Sequence, residues 1–225
     1  MIETKELKKT YKQGSLKVKA VDNVNLKISD GEFTAIVGPS GSGKTTLLNC
    51  IGGLDNPTSG KVIIDGELIS SYSSNQMIKF RLNNIGFVFQ SYNLIPVLTA
   101  KENIEMVMLM QGYNKKDMEK RSSDLLNEVG MGDMSKRRPS ELSGGQQQRV
   151  AVARSLASKP KFILADEPTA NLDSKSTAKL LDIMSRLNKQ EKITFVFSTH
   201  DQRVIDRARR VVTLEDGKII KDIKK

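Results

Sequence analysis

Gly38-Pro39-Ser40-Gly41-Ser42-Gly43-Lys44-Thr45, followed by Thr46, is the stretch on which the fold turns. It fits G-x-x-x-x-G-K-[ST], with three glycines inside one phosphate-sized loop. A backbone that wraps phosphates must turn sharply and aim its N–H groups inward, which a Cβ obstructs. Gly38, Gly41 and Gly43 supply that freedom. Lys44 brings a point charge to the β and γ phosphates, Thr45 a hydroxyl suited to Mg²⁺, and the helix opening at Lys44 its positive dipole end. Phe33-Thr-Ala-Ile-Val37 feeds straight into the loop as a short apolar run consistent with a buried strand. Strand, loop and helix thus follow in the order a nucleotide grip requires.

Three more apolar runs have the same character: Ile85 to Phe89, Phe162 to Ala165, and Ile193 to Phe197. They end, respectively, at Gln90, at Asp166-Glu167 and at Ser198-Thr-His200. Parallel sheets bind ligands beyond the carboxyl ends of their strands, so Gln90, Asp166, Glu167 and His200 are expected at the edge where the phosphate loop emerges. Ahead of the loop, alternating segments from Ile2 to Ile28 predict an antiparallel layer. Gly60 to Ile69, with Asp65-Gly66 at its turn, predicts a hairpin that joins it. Arg210 to Leu214 and Lys218 to Ile220 flank Asp216-Gly217 and predict an edge hairpin at the far end.

Between the second and third apolar runs lies a block of helical periodicity, 91–156. Thr99-x-x-Glu102 has the form of a capping box, and Gly112, Gly130 and Gly132 break the helices. Six of the nine methionines fall between Met106 and Met134, either as helix-packing filler or as an adaptable docking face. The block ends at Leu142-Ser143-Gly144-Gly145-Gln146, before a helix predicted from about Gln146 to Lys159 and stopped by Pro160. Ser143 supplies a capping hydroxyl and the two glycines bare N–H groups, which makes a second anion-binding helix start.

The 225 residues carry 36 Lys and Arg against 26 Asp and Glu, a formal net charge of +10. That balance fits nucleic acid, an anionic membrane surface or simple solubility; the basic residues are dispersed and lack interleaved aromatics. The one cysteine, Cys50, excludes an internal disulfide and suits a reducing compartment. No run approaches the roughly 18 apolar residues of a membrane span, and the start has no secretory pattern, so a cytoplasmic protein is expected.

In this order and company the motifs resemble those of the ATP-binding-cassette (ABC) ATPases over nearly the whole chain. Gly38 to Thr45 is similar to Walker A, Gln90 to the Q-loop glutamine and Leu142 to Gln146 to the signature sequence. Phe162 to Asp166 resembles Walker B, with Glu167 in the catalytic-glutamate position, Asn171 to Asp173 the D-loop, and His200 the switch histidine. The wording of Gly86 to Ala100 and of Asp166 to Ser174 is closest to the lipoprotein-releasing and macrolide-export group, LolD/MacB-type.

The resemblance implies a P-loop NTPase α/β fold. A parallel-sheet core and antiparallel layer would occupy 1–90 and 157–225, and a helical signature subdomain 91–156, within one domain. It implies ATP held by Tyr11, Gly38, Pro39, Ser40, Gly41, Ser42, Gly43, Lys44, Thr45, Thr46 and Gln90. Across a head-to-tail homodimer, Ser143, Gly144, Gly145, Gln146 and Asp173 would complete the site. Mg²⁺ would be held by Thr45, Gln90 and Asp166. Glu167 would act as general base, with His200, Gln90 and Lys44 completing the catalytic set. Tyr11 would stack on adenine; as a residue near an N-terminal strand it equally suits ordinary packing. With no span of its own, such a subunit would work with transmembrane permease subunits on the cytoplasmic face of the membrane, driving export or extraction. The same residues would serve a mechanotransmitting complex, while a nucleic-acid-associated ATPase would call for insertions or a second cassette that this chain lacks.

Overall fold

The computed structural model describes residues 1–14 and 16–225. In chain order the elements are β1 (Ile2–Gln13), β2 (Leu16–Ile28), β3 (Phe33–Val37), α1 (Lys44–Ile51), β4 (Ser59–Ile64), β5 (Glu67–Leu68), α2 (Ser74–Asn84) and β6 (Ile85–Val88). Next come α3 (Ala100–Met110), α4 (Lys115–Glu128), α5 (Gly144–Ala157) and β7 (Phe162–Asp166). The chain closes with α6 (Ser174–Glu191), β8 (Thr194–Ser198), α7 (Gln202–Arg207), β9 (Arg210–Glu215) and β10 (Lys218–Lys224).

Two sheets form. One is antiparallel with order β2-β1-β4-β5; the other has order β10-β9-β3-β8-β7-β6 and is parallel except at its β10 edge. Both expected Asp-Gly turns are present, with Asp65 at φ 51 and Gly66 at 85, and Asp216 at φ 46 and Gly217 at 76, the left-handed pair that a two-residue hairpin uses. The second hairpin is less of an edge than its sequence predicts. Only β10 lies outermost, because β9 pairs parallel with β3, Thr34 opposite Arg210 through Val37 opposite Thr213.

The parallel strands are apolar throughout because both of their faces are covered. On β7, Ile163 and Ala165 pack into the core shared with α3, α4, α5 and α6, while Phe162 and Leu164 face the core shared with α1 and the antiparallel sheet. The helix after Ser143 starts two residues earlier than predicted, at Gly144, and ends at Ala157. Of the clustered methionines, Met108 and Met131 are core, whereas Met106 and Met110 line a surface groove. Thr99 and Glu102 form the expected reciprocal cap of α3.

Candidate functional site

The register of the parallel strands sets the site. Ile36 pairs with Ser198, Ser198 with Asp166, and Ala165 with Val88, so β3, β8, β7 and β6 end level on one edge. There the loop after β3 and the residues following the other three strands enclose a cavity of about 530 Å³. Gly38, Pro39, Ser40, Gly41, Gly43, Lys44, Thr45 and Thr46 line it from the loop and the first turn of α1, facing Gln90, Glu167 and His200. Asp166 joins through a hydrogen bond, its Oδ1 accepting from Thr45 Oγ1 at 2.9 Å.

The loop is clamped from behind. A Cβ on Gly43, which has φ 98, would lie 1.9 Å from the Ala20 carbonyl oxygen on β2, and one on Gly38 would lie 2.0 Å from that of Leu214 on β9. Neither oxygen can move without displacing a strand. The turn after β9 adds a bond from Gly217 N–H to the Ser42 carbonyl at 3.0 Å. Ser42 itself is buried under the loop at 2% exposure and does not line the cavity. Lys44 Nζ donates to the carbonyls of Gly38 and Pro39, each at 2.9 Å, which fixes the ammonium at the loop. No side chain caps the N-terminus of α1, so the N–H groups of its first turn point at the cavity without an intrahelical partner.

Opposite the loop, Glu167 has a left-handed backbone, φ 43, which costs a non-glycine residue on the order of 1–2 kcal/mol. Its N–H donates to the Ser198 carbonyl at 2.8 Å, and its Oε1 lies 2.7 Å from His200 Nδ1. The carboxylate is thus pinned between β7 and β8 while His200 remains largely exposed to the cavity.

Tyr11 stands beside this cavity without lining it. Its hydroxyl donates to Asp55 Oδ2 at 2.6 Å, and Lys9 Nζ sits 5.0 Å from its ring centroid. Burial and the Asp55 bond raise the phenol above its ordinary range. Burial also pushes the Asp55 carboxyl up, but the bonds from Lys9 and Tyr11 prevail and hold it low. Asp55 also follows α1 closely, its N–H donating to the Asn49 carbonyl at 3.2 Å.

Ser143 to Gln146 and Asp173 lie elsewhere; none of them lines the cavity. Ser143 and Gln146 form a reciprocal cap, with Ser143 N–H donating to Gln146 Oε1 at 2.8 Å. Gly144 abuts the Tyr92 hydroxyl and Gly145 abuts Ser176. Asp173 caps α6, accepting from Ser176 N–H at 2.9 Å and from Ser176 Oγ at 2.7 Å, and these bonds lower its carboxyl.

Several residues that hold the site escape a reading of motifs. Gln148, fully buried, donates to the Pro168 carbonyl at 2.8 Å and the Phe89 carbonyl at 3.3 Å, so α5 ties the ends of β7 and β6 together. Arg154 donates to the carbonyls of Tyr92 and Asn93, both at positive φ just after Gln90. Thr199 and Asp201 bond back toward Glu167 and Thr169. Only this last pair had a signal in the sequence, its position either side of the single histidine.

The profile of the ABC transporter family matches residues 21–170. The lipoprotein-releasing system ATP-binding protein LolD of Syntrophus aciditrophicus is 43% identical over 98% of this chain and 99% of its own. The macrolide export ATP-binding/permease protein MacB of Syntrophobacter fumaroxidans is 43% identical over 97% of this chain but only 31% of its own length. Among solved structures, the dimeric, post-hydrolysis state of the ATP-binding cassette MJ0796, bound to ADP and Pi, superposes with a TM-score of 0.93 and 43% identity, over 100% of this chain and 98% of that one. With the phosphate loop, the polar strand ends and the capped Ser143 helix in this arrangement, the chain belongs to the ATP-binding proteins of the ABC transporter family.

Proposed function

We propose that two copies of this chain close head-to-tail over two ATP molecules, and that hydrolysis there drives export or lipoprotein extraction by separate membrane permease subunits. One observation carries the reading. The phosphate loop shares its cavity with Gln90, Glu167 and His200, whereas Ser143 to Gln146 present a second helix start outside it. A second copy would bring that helix start to the γ-phosphate, much as a trans arginine completes other NTPase sites at a gain of roughly 10³–10⁵ in rate. The dimeric state recorded for MJ0796 and the joining of ATP-binding and permease functions in MacB's name support this assembly.

Within the closed site, Lys44 and the loop N–H groups hold the β and γ phosphates, and Tyr11 offers its ring to the adenine. Glu167 accepts the proton of the attacking water, while His200 holds the γ-phosphate side and Gln90 orders the water. Ser143 and the N–H groups of Gly144 and Gly145 bind the partner's γ-phosphate, with Gln146 and Asp173 at the same seam. Thr45 and Asp166 present hard oxygen donors 2.9 Å apart, and the Gln90 amide lines the same cavity. That donor set suits Mg²⁺, which takes oxygen ligands and retains water. Thr45, Asp166 and Gln90 would hold the ion, which would neutralise charge on the β and γ phosphates. In this reading 91–156 is the helical signature subdomain of one domain spanning 1–225.

Replacement of Glu167 by Gln tests the core of the proposal. ATP binding should persist, turnover should fall by roughly 10²–10⁴ as for loss of a general base, and an ATP-bound dimer should accumulate in size-exclusion chromatography. Near-wild-type hydrolysis would remove Glu167 from that role.

No described helix is long and apolar enough to cross a membrane. The permease is placed, in this proposal, over the groove of about 420 Å³ lined by Leu54, Ile78, Phe87, Phe89, Met106 and Met110, whose rim includes Asn93, the first residue of the apolar run Asn93-Leu-Ile-Pro-Val-Leu98 after Gln90. This puts the chain on the cytoplasmic face as a peripheral subunit. In that run Leu94 packs against the helical core, whereas Ile78 and Met110 are 49% and 61% exposed and serve as probes. Changing both to Glu should abolish co-purification with the cognate permease and leave basal ATPase activity intact; retained association would place docking elsewhere.

A further inference from the structure

We propose that Thr199 is a positioning residue for hydrolysis, its buried hydroxyl fixing the second oxygen of the Glu167 carboxylate. The inference rests on the general-base reading of Glu167. Thr199 has 0% exposure and immediately follows β8. Its N–H donates to the Ile36 carbonyl at 3.1 Å, which ties it to the strand that feeds the phosphate loop. Its hydroxyl accepts from Asp201 N–H at 3.0 Å. A hydroxyl that accepts there retains one hydrogen to give, and Glu167 Oε2 lies 3.2 Å away.

The link closes into a ring. Thr169, two residues beyond Glu167 and 1% exposed, donates to Asp201 Oδ2 at 2.7 Å. From Glu167 the path runs along the chain to Thr169, across to Asp201, back to Thr199 and home to the carboxylate. His200 takes Oε1 at 2.7 Å, so both carboxylate oxygens are held by one three-residue loop. A general base works only when a lone pair is aimed at the water, and a displacement of about 1 Å can cost on the order of 10² in rate. The strained φ 43 at Glu167 makes the same demand on the backbone, because such a conformation persists only where its surroundings over-determine it.

The test compares Thr199→Val, Thr199→Ser and Glu167→Gln in steady-state ATP hydrolysis across ATP concentrations. Val keeps the volume and removes the donor; Ser keeps the donor. Thr199→Val should lower kcat by roughly ten- to a hundredfold through misaiming of the base, leaving KM for ATP within about twofold, while Thr199→Ser should restore most of kcat. A wild-type kcat in Thr199→Val overturns the proposal. Equal losses in Thr199→Val and Thr199→Ser, matched by equal falls in melting temperature, overturn it too, since packing alone would explain them. Should Thr199→Val not fold, Thr199→Ala fits the same space and gives the same contrast with Ser. Glu167→Gln separates the two claims. If it still turns over, the general-base reading fails; if it is inactive while Thr199→Val is wild-type, only the role of Thr199 fails.

Discussion

Gly43 and Gly145 each stand at the start of a helix that the proposed function assigns to phosphate, and a methyl group is crowded at both, for different reasons. At Gly43 the backbone has φ 98 and a Cβ would meet the Ala20 carbonyl at 1.9 Å. At Gly145 the backbone is ordinary helix and a Cβ would meet Ser176 Oγ at 2.6 Å and Ser176 Cβ at 2.7 Å. The first obstacle is the backbone of β2, a strand of the antiparallel sheet, and the second is a small side chain on α6. The helices differ in the same sense. The α1 start has no side-chain cap, whereas that of α5 is closed by Ser143 and Gln146. One grip is built into the fold; the other, capped within its own chain, is the surface that the proposed dimer would use.

The largest expected effect comes from alanine at the two glycines. Gly43→Ala should lose nucleotide binding and much of its folded population, since no rotamer change can relieve a clash with backbone. Gly145→Ala should fold and bind ATP as a monomer but fail to form the ATP-dependent dimer. Calorimetric ATP binding and chromatography of both variants decide it, and normal ATP binding by Gly43→Ala would break the contrast. Next in size is Ser143→Ala, whose lost cap should cost about 1 kcal/mol of stability and whose turnover should collapse. Mixed with a Lys44→Ala variant it should regain part of that activity, because one of the two composite sites would then be intact. Two inactive variants that stay inactive on mixing would sink the half-site reading.

The smallest effect is a pH dependence confined to the built-in side. The Arg203 guanidinium, helped by Thr169, holds the Asp201 carboxyl down at about 2 against its ordinary 3.8. A depressed carboxyl stabilises the fold above its unfolded value, and that contribution drains away as pH falls from near 4 toward 2. Asp201→Asn should therefore show a shallower loss of melting temperature over that window than the wild type. Identical slopes would mean that the Thr169–Asp201–Thr199 ring contributes nothing through its charge.

The strand ends were legible because a strand covered on both faces must be apolar, so each run could end only where its carboxyl edge met solvent or ligand. Gln90, Glu167 and His200 fell out of that rule, and their shared cavity bears it out. Other features had no such local mark. Helix α2 buries only Met77 and Phe80 of its 11 residues, too thin a stripe to stand out. Helix α6 has a clear apolar face, Leu180, Leu181, Met184 and Leu187, which a search for motifs passes over. The seating of β9 against β3 joins Thr34 to Arg210, a pairing across most of the chain that no periodicity encodes. The positive φ at Glu167, Tyr92 and Asn93 is likewise imposed by distant contacts, from Ser198 in one case and Arg154 in the others.

The contacts behind the phosphate loop also order events in time. Gly38 is shaped to the Leu214 carbonyl and Ser42 is bonded by Gly217, so the floor that Ala20 begins beneath Gly43 is finished only by residues beyond 210. On a ribosome, which delivers the chain from its N-terminus, Gly38 would wait for the residues of β9. Competence to hold ATP then arrives only once β9 and the turn after it have been made, and a product stalled before them would not compete for nucleotide.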